Sequence, residues 1–389
     1  MSAPLEWERV VISDDTRRRW WGRYPWDIEM PFLVSHPVES DGERCVGLDS
    51  SMKVSVLRGP EDLAVEERER PRPGPNEVLV RVSSVGVCGS DTHYYDHGRI
   101  GRFVVQQPLI LGHEASGVIE DVGQDVHDRL VGQRVSIEPG VPDLYCPQCL
   151  AGRYNLCPNM RFFATPPIDG AFAEYVVVHA AFAHPIPDTI TDNAAALLEP
   201  LSVGVWACRK GHVTAGNRVL ITGAGAVGLV SLQTALAFGA QEVWVSDVNP
   251  SRLAVASELG ASTTLDAAEV AALNELDGPP DVLLECSGFP GAISDGIRAL
   301  DRAGRAVLVG MGGDEVPLPL SVVQERELNV TGTFRYANTW PMAIALVASG
   351  RVNLDRLVTG DYGIENVEDA LTAGRRDANA IKAIVHPHA

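Results

Sequence analysis

From Met52 onward, apolar and polar residues alternate in short runs broken by turn residues. Lys53–Leu57 and Glu77–Val87 show the two-residue period of half-buried strands, separated by the turn-forming stretch Pro71-Arg72-Pro73-Gly74-Pro75-Asn76. Gly117–Val122 and Arg134–Ile137 predict further strands, again punctuated by glycine. Several short strands with glycine turns and few helices predict a partly open β-barrel, interrupted by an irregular cysteine-rich lobe at 143–157. After Pro200 the texture changes. Arg218–Thr222 is a buried-strand run, followed by an apolar helix ending near Phe238-Gly239, a strand at Glu242–Ser246 and a helix at Ser251–Leu259 closed by Gly260. Asp281–Glu285 and Arg305–Val309 are expected strands, with a helix at Gly291–Leu300 between them. Alternating strand and helix predicts a doubly wound parallel sheet, so the chain reads as α/β. The tail holds a helix at Pro341–Ser349, a loop and a last strand at Ile381–Val385 that could rejoin the first domain.

Residues 1–51 fit neither period. Trp7, Trp20, Trp21 and Trp26 lie among Arg17, Arg18, Arg19 and scattered acids, and the stretch reads as a poorly ordered extension, or else Met52 is the true start. A twin-arginine export signal is disfavoured, because Gly22-Arg23-Tyr24-Pro25 stands where an apolar region is required. The expected organisation is an extension at 1–51, a barrel domain from 52–201 and 338–389, and a nucleotide domain at 202–337.

Composition narrows the function without naming it. The 389 residues allow two cores, and 45% hydrophobic with 21% charged residues is ordinary for a globular protein. A formal charge of −19 argues against nucleic acid and anionic membrane surfaces as partners, and no apolar run approaches the ~20 residues of a bilayer span. Seven cysteines, three of them clustered, suggest metal thiolates in a reducing compartment, with the cytoplasm as the expected location.

The chemistry centres on Leu111-Gly112-His113-Glu114, where an imidazole and a carboxylate stand side by side. Cys88, in Gly86-Val87-Cys88-Gly89-Ser90-Asp91, offers a thiolate, and Glu199, in Leu198-Glu199-Pro200, a second carboxylate. One nitrogen, one sulfur and two oxygens suit zinc, and a changeable oxygen position suits catalysis. Gly223-Ala-Gly225-Ala-Val-Gly228 follows a strand and opens a helix, as a dinucleotide-binding turn does. Gly223 allows the tight turn, Gly225 lets backbone N–H groups approach a pyrophosphate, and Gly228 permits close packing of helix on strand. Asp247, nineteen residues beyond Gly228, is placed to accept ribose hydroxyls and to repel a 2′-phosphate, favouring NAD over NADP. Arg252 is expected to cover the adenosine.

These stretches together resemble the zinc-dependent medium-chain dehydrogenases of the sorbitol (L-iditol) and xylitol type. The likeness runs from about Met52 to the end, through Gly-Val-Cys-Gly-Ser-Asp-Thr-His-Tyr-Tyr at 86–95, Gly-Arg-Tyr-Asn-Leu-Cys at 152–157, Ala-Thr-Pro-Pro at 164–167, Leu-Glu-Pro-Leu-Ser-Val-Gly at 198–204 and Phe-Arg-Tyr-Ala-Asn-Thr-Trp-Pro at 334–341. The resemblance implies a GroES-like β-barrel catalytic domain beside a Rossmann-type sheet, NAD-linked oxidation of a polyol to a ketose, and a homotetramer. It implies that Cys88, His113 and Glu114 hold the catalytic zinc, with Glu199 on the zinc's water or in its coordination sphere. Ser90 and His93 would line a proton path, and Tyr94, Arg335 and Tyr336 would meet the substrate. Aldose 1-dehydrogenase, butanediol or threonine dehydrogenase activity stays open on the same scaffold, and from another class a non-catalytic NAD(H)-responsive protein.

In the lobe the chain departs from its family. The usual pattern is Cys-x2-Cys-x2-Cys-x7-Cys, but the first place is Asp143, followed by Cys146, Cys149 and Cys157. An aspartate oxygen can close a tetrahedron of three thiolates, so a second, structural zinc is expected there, the alternative being a decayed and empty site.

Overall fold

The structure is a computed structural model, and it describes residues 51–389 apart from 270–272, 274, 275 and 314. Apart from Ser51, the expected extension lies outside the described residues. Strand β1 (Ser51–Gly59) pairs antiparallel with β2 (Asp62–Glu69), from Ser51 opposite Glu69 to Leu57 opposite Leu63. β2 was not expected. Five of its eight residues are charged, so it carries almost no apolar period and owes its form to β1. β3 (Glu77–Gly86) is buried along most of its length and ends two residues before helix α1 (Gly89–His97). That helix lacks an apolar stripe, so periodicity does not announce it. Its start is fixed by Asp91, whose carboxylate accepts the Cys88 N–H at 3.0 Å, and its end by Gly98 in the left-handed region at φ 64°.

β4 (Glu114–Val122) and β5 (Arg134–Ile137) extend the sheet antiparallel, and β6 (Tyr175–His179) and β7 (Ala183–Pro185) complete this part of the barrel. Helix α2 (Leu198–Lys210) starts with Glu199 and Pro200 in its first turn, where proline's missing N–H would have no helical partner anyway. Then come β8 (Arg218–Thr222), α3 (Ala226–Ala237), β9 (Glu242–Asp247), α4 (Pro250–Glu258), β10 (Thr263–Asp266), β11 (Val282–Glu285), α5 (Pro290–Ala299), β12 (Arg305–Leu308) and β13 (Asn329–Gly332). Their six strands lie parallel in the order β10-β9-β8-β11-β12-β13, a doubly wound sheet whose strand order reverses between β8 and β11. One face packs Val219, Ile221, Val243 and Val245 under α2 and α3; the other packs Leu220, Trp244 and Leu283 under α5.

Helix α6 (Trp340–Ala348) follows, and the tail then departs from the expected loop. It forms β14 (Val358–Gly363), α7 (Val367–Arg376) and β15 (Lys382–His386). α7 buries only Val367, Ala370 and Leu371, a stripe too short to stand out among its charges. β15 pairs with β3 at Val85 and Gly86 and with β14 beyond, so the tail does rejoin the first sheet, whose order is β7-β5-β4-β3-β15-β14 with β6 also on β3. No helix among the described residues is long and apolar enough to cross a membrane.

Candidate active site

Three elements of the first domain converge on one cluster. Cys88 stands between β3 and α1, and His113 and Glu114 stand where β4 begins. Their turn needs Gly112, at φ 86°, where a Cβ would lie 2.8 Å from the Phe172 ring. Ligand atoms of Cys88, His113 and Glu114 all lie within 4.8 Å of one another. Burial opposes a charge on His113, yet Asp91 and Cys88 hold its pKa well above the ordinary histidine value, so these side chains favour a positive charge at this point. Asp91 is wholly buried; it faces His113 Nδ1 at 3.4 Å and accepts the Gly112 N–H at 2.9 Å, which orients the imidazole. Lys382 Nζ, also buried, donates to Glu114 Oε1 and to the Val87 carbonyl at 2.8 Å. Glu114 Oε2 is buried with no partner among the described residues. A thiol, an imidazole and an orphaned carboxylate oxygen so close together fit a zinc ion.

These groups line a cleft of about 430 Å³ that also holds Ser90, Tyr94, Phe162, Thr165, Glu199 and Arg335. Glu199 is buried, and its pKa is pushed up to about 7, by burial first and then by Glu114, against the lowering effects of His113 and the Tyr336 hydroxyl. Arg335 stacks its guanidinium 3.7 Å from the centre of the Phe162 ring and donates to Thr165 Oγ1 at 3.4 Å. Tyr94 is buried, and burial raises its phenol to about 12, so it stays neutral.

Two expected roles change with the geometry. Tyr336 does not line the cleft: its ring is buried and its hydroxyl donates to Glu199 Oε1 at 2.6 Å, so its proton is committed to Glu199 rather than to a ligand. His93 is exposed on α1, its ring edge-on to His97 at 4.6 Å, because the helix turns its fifth position away while Tyr94 faces inward. Ser90 is in the cleft; His93 is not.

The glycine turn reaches the same cleft through Gly225 and Ala226, at the start of α3. Gly223 has φ 91°, and a Cβ on Gly228 would sit 1.8 Å from the Gly223 carbonyl oxygen, so both positions demand glycine. Nothing lies within 4 Å of a Cβ built on Gly225, which leaves room for a phosphate above the helix N-terminus. Asp247 ends β9; its Oδ2 accepts the Ala224 N–H at 2.6 Å and its Oδ1 the Asn249 N–H at 2.8 Å, tying the second strand to the turn. A second cavity of about 440 Å³ lies beside it, between Val248 and Phe289. Arg252 is not in that cavity. It lines the main cleft beside Gly225, and its Nε is buried with no partner among the described residues.

In the lobe, Asp143, Cys146, Cys149 and Cys157 also bring ligand atoms within 4.8 Å of one another. Asp143 Oδ1 accepts the Tyr145 and Cys146 N–H groups at 3.0 and 2.9 Å, and its Oδ2 accepts Asn159 Nδ2 at 2.8 Å; these donors hold its pKa below the usual carboxylate range. The Asp143 N–H points at Cys157 Sγ at 3.4 Å, and the Cys149 N–H at Cys146 Sγ, also at 3.4 Å.

Residues 74–188 match the alcohol dehydrogenase GroES-like domain, and residues 226–349 match the zinc-binding dehydrogenase family. A sorbitol dehydrogenase of Macaca fascicularis is 47% identical over 322 residues, which cover 81% of this chain and 90% of the relative. The chain belongs to the zinc-dependent medium-chain dehydrogenases. This dehydrogenase is also similar to two solved structures with TM-scores of 0.82. One is a zinc-binding dehydrogenase of Sinorhizobium meliloti bound to NADP, 31% identical, covering 87% of this chain and 100% of that one. The other is an alcohol dehydrogenase of Escherichia coli complexed with NADH, 28% identical with the same coverage.

Sequence reasoning missed two residues that support the Cys88–His113–Glu114 donor cluster of this dehydrogenase. Asp91 was visible beside Cys88, and the capping spacing from Cys88 to Asp91 was the available signal. Lys382 lies 268 residues from Glu114, and nothing local announces the pair. Phe162, which carries the Arg335 guanidinium, had no signal beyond being aromatic.

Proposed function

We propose that this dehydrogenase oxidises a secondary hydroxyl of a polyol to a ketone, with NAD as hydride acceptor. The observation that carries the reading is the single cleft in which the Cys88–His113–Glu114 donors, the Gly225–Ala226 turn and the Arg335 guanidinium all meet. Held by those donors, zinc would supply a Lewis acid that makes the substrate hydroxyl easier to deprotonate. The 223–228 turn would hold NAD, whose nicotinamide accepts the hydride.

The chain's own groups do the rest. Asp91 keeps His113 aimed at the cluster, and Lys382 takes one Glu114 oxygen, leaving the other without a partner and available to a metal. Ser90 Oγ, two residues from Cys88, relays the hydroxyl proton, accepting it as its own proton passes to water, and Glu199, braced by Tyr336, orients the water or hydroxyl beside the cluster. Arg335, stacked on Phe162, donates hydrogen bonds to the further hydroxyls that distinguish a polyol from a simple alcohol. Likeness to a sorbitol dehydrogenase supports that choice. Asp247 favours NAD, since its carboxylate repels a 2′-phosphate, and Arg252 offers its unpartnered Nε to the cofactor's phosphates or ribose. The donor set of Asp143, Cys146, Cys149 and Cys157 supports a second, structural zinc.

The test is a screen of sorbitol, xylitol, ribitol, the arabinitols, glucose, threonine and butanediol with zinc-loaded protein and NAD, following NADH absorbance. A polyol is expected to give the highest kcat/KM. Faster oxidation of threonine, glucose or butanediol overturns the substrate reading, and no turnover of any of them favours an NAD(H)-responsive protein.

A further inference from the structure

The segment that carries Arg335 has a strained backbone. Arg335 and Asn338 both sit in the left-handed region, at φ 54° and 55°, although neither is glycine. Such conformations persist where the surroundings over-determine them. The surroundings here are the cysteine lobe, which has no place in the chemistry above. Asn155 is buried, and its Nδ2 donates to the Phe334 carbonyl at 2.9 Å. Its Oδ1 is buried without a partner among the described residues, so the amide is committed to that one bond at some expense. Tyr154 Oη accepts the Asn338 N–H at 2.8 Å and donates to the buried Glu138 at 2.7 Å, and Glu138 is held in turn by His184 at 2.9 Å. Asn338 Nδ2 donates to the Gly152 carbonyl at 3.1 Å, and Arg209, in the last turn of α2, donates to the Asn338 carbonyl at 2.9 Å. Phe334 and Asn338 are therefore gripped on either side of Arg335 and Tyr336, by three groups of the lobe within four residues, at Gly152, Tyr154 and Asn155.

We infer that Tyr154 and Asn155 are positioning residues for substrate recognition: the lobe clamps residues 334–338 and so sets where the Arg335 guanidinium meets the hydroxyls of the substrate. The inference rests on the polyol reading for its substrate but not for its geometry. The clamp bears directly on Arg335, while Tyr336 keeps its own 2.6 Å bond to Glu199, so the clamp governs chiefly the binding of long, hydroxylated substrates. A short secondary alcohol that cannot reach Arg335 is indifferent to it.

The experiment compares wild type with Asn155→Ala and with the milder Tyr154→Phe, which keeps the ring and removes only the shared hydroxyl. KM is measured for the best polyol and for 2-propanol, NADH affinity by fluorescence, zinc by metal analysis, and amide hydrogen exchange across 333–340. In both variants the polyol KM is expected to rise about tenfold, the order of one lost hydrogen bond to a buried group. The 2-propanol kinetics, NADH affinity and catalytic zinc stay within about twofold of wild type. Exchange across 333–340 speeds up while the six-stranded sheet stays protected. Equal losses with both alcohols would reveal a merely structural role and overturn the inference, as would an unchanged polyol KM. Should Asn155→Ala fail to fold, Tyr154→Phe decides by the same measurements. If wild type oxidises no polyol, the substrate reading has failed on its own; unchanged exchange across 333–340 would then still overturn the clamp, and faster exchange there would sustain it.

Discussion

The two donor clusters of this chain have similar ingredients and opposite settings. Each brings cysteine sulfur and carboxylate oxygen within 4.8 Å, but the Cys88 cluster opens on a cleft of about 430 Å³ and the Asp143 cluster does not line it. The first is supported by side chains from afar, Asp91 behind His113 and Lys382 behind Glu114, both fully or nearly fully buried. The second is supported by its own backbone, whose N–H groups turn toward Asp143, Cys146 and Cys157 within fifteen residues of chain. Exposed Leu144, Tyr145 and Leu150 surround it. On the roles proposed for them, ligand type alone does not separate a catalytic from a structural centre. What separates them is whether a position is left open, and whether the supporting groups are local.

The sharpest way to test that contrast is to remove one ligand from the open cluster. Cys88→Ala should lower kcat by about a thousandfold or more, because the Lewis acid is lost with its thiolate. Zinc should fall by about one ion per chain while the lobe keeps its own. Steady-state turnover and metal analysis check this together; retained turnover would place the chemistry elsewhere.

Next in size is the support behind the ligand. Asp91→Asn keeps the shape but weakens the hold on His113, and loss of such a partner typically reduces metal affinity or activity by about 10–100-fold. Competition with a zinc-binding dye measures the affinity directly. The lobe's ion should not respond, since Asp91 touches nothing there. If both sites weaken equally, the effect is general loosening and the contrast is lost.

The same division explains what could be read from the chain in advance. The Asp143 cluster is local, and its spacing was legible in the cysteines. The Rossmann strands were legible too: Arg218–Thr222 reads as a continuous buried run, and the structure has a strand with those bounds. The support of the Cys88 cluster was not legible, because Lys382 reaches Glu114 only after β15 has paired with β3. Tyr336 is expected at the substrate because the resemblance implies it; only the fold shows that the phenol turns to Glu199. β2 and α7 carry too many charges for their periods to show. Periodicity reports which face is buried, and says nothing of which distant group a buried polar atom will meet.

A smaller effect is expected from the lobe. Asp143→Ala removes one of its four donors and the acceptor for Tyr145, Cys146 and Asn159. Zinc should fall from about two ions per chain to about one, and the thermal midpoint by at least ~2 °C. The Cys88 cluster is spared, so turnover of a short secondary alcohol should stay within about twofold of wild type. Only one ion per chain in carefully prepared wild-type protein would mean that the lobe holds its shape through hydrogen bonds alone, and the comparison would then be between a metal site and a vestige.

The smallest expected effect is the most discriminating for the lobe itself. Asp143→Cys would restore four thiolates, the donor set common in closed zinc sites. If aspartate is a true fourth ligand, the exchange swaps one bond for another, and the thermal midpoint should move by no more than about 2 °C while the zinc count stays at about two. A thiolate cannot accept the hydrogen bonds of Tyr145, Cys146 and Asn159 as well as a carboxylate does, so part of any gain at the metal is offset by loosened backbone. If aspartate is not a ligand, the new thiolate completes an incomplete site, and zinc retention against a chelator rises steeply in the variant. Comparing chelator resistance of wild type and Asp143→Cys at equal protein concentration therefore decides whether the carboxylate binds the ion or merely folds the loop around it. Similar resistance is the outcome expected from the way Asp143 shares its space with all three sulfurs.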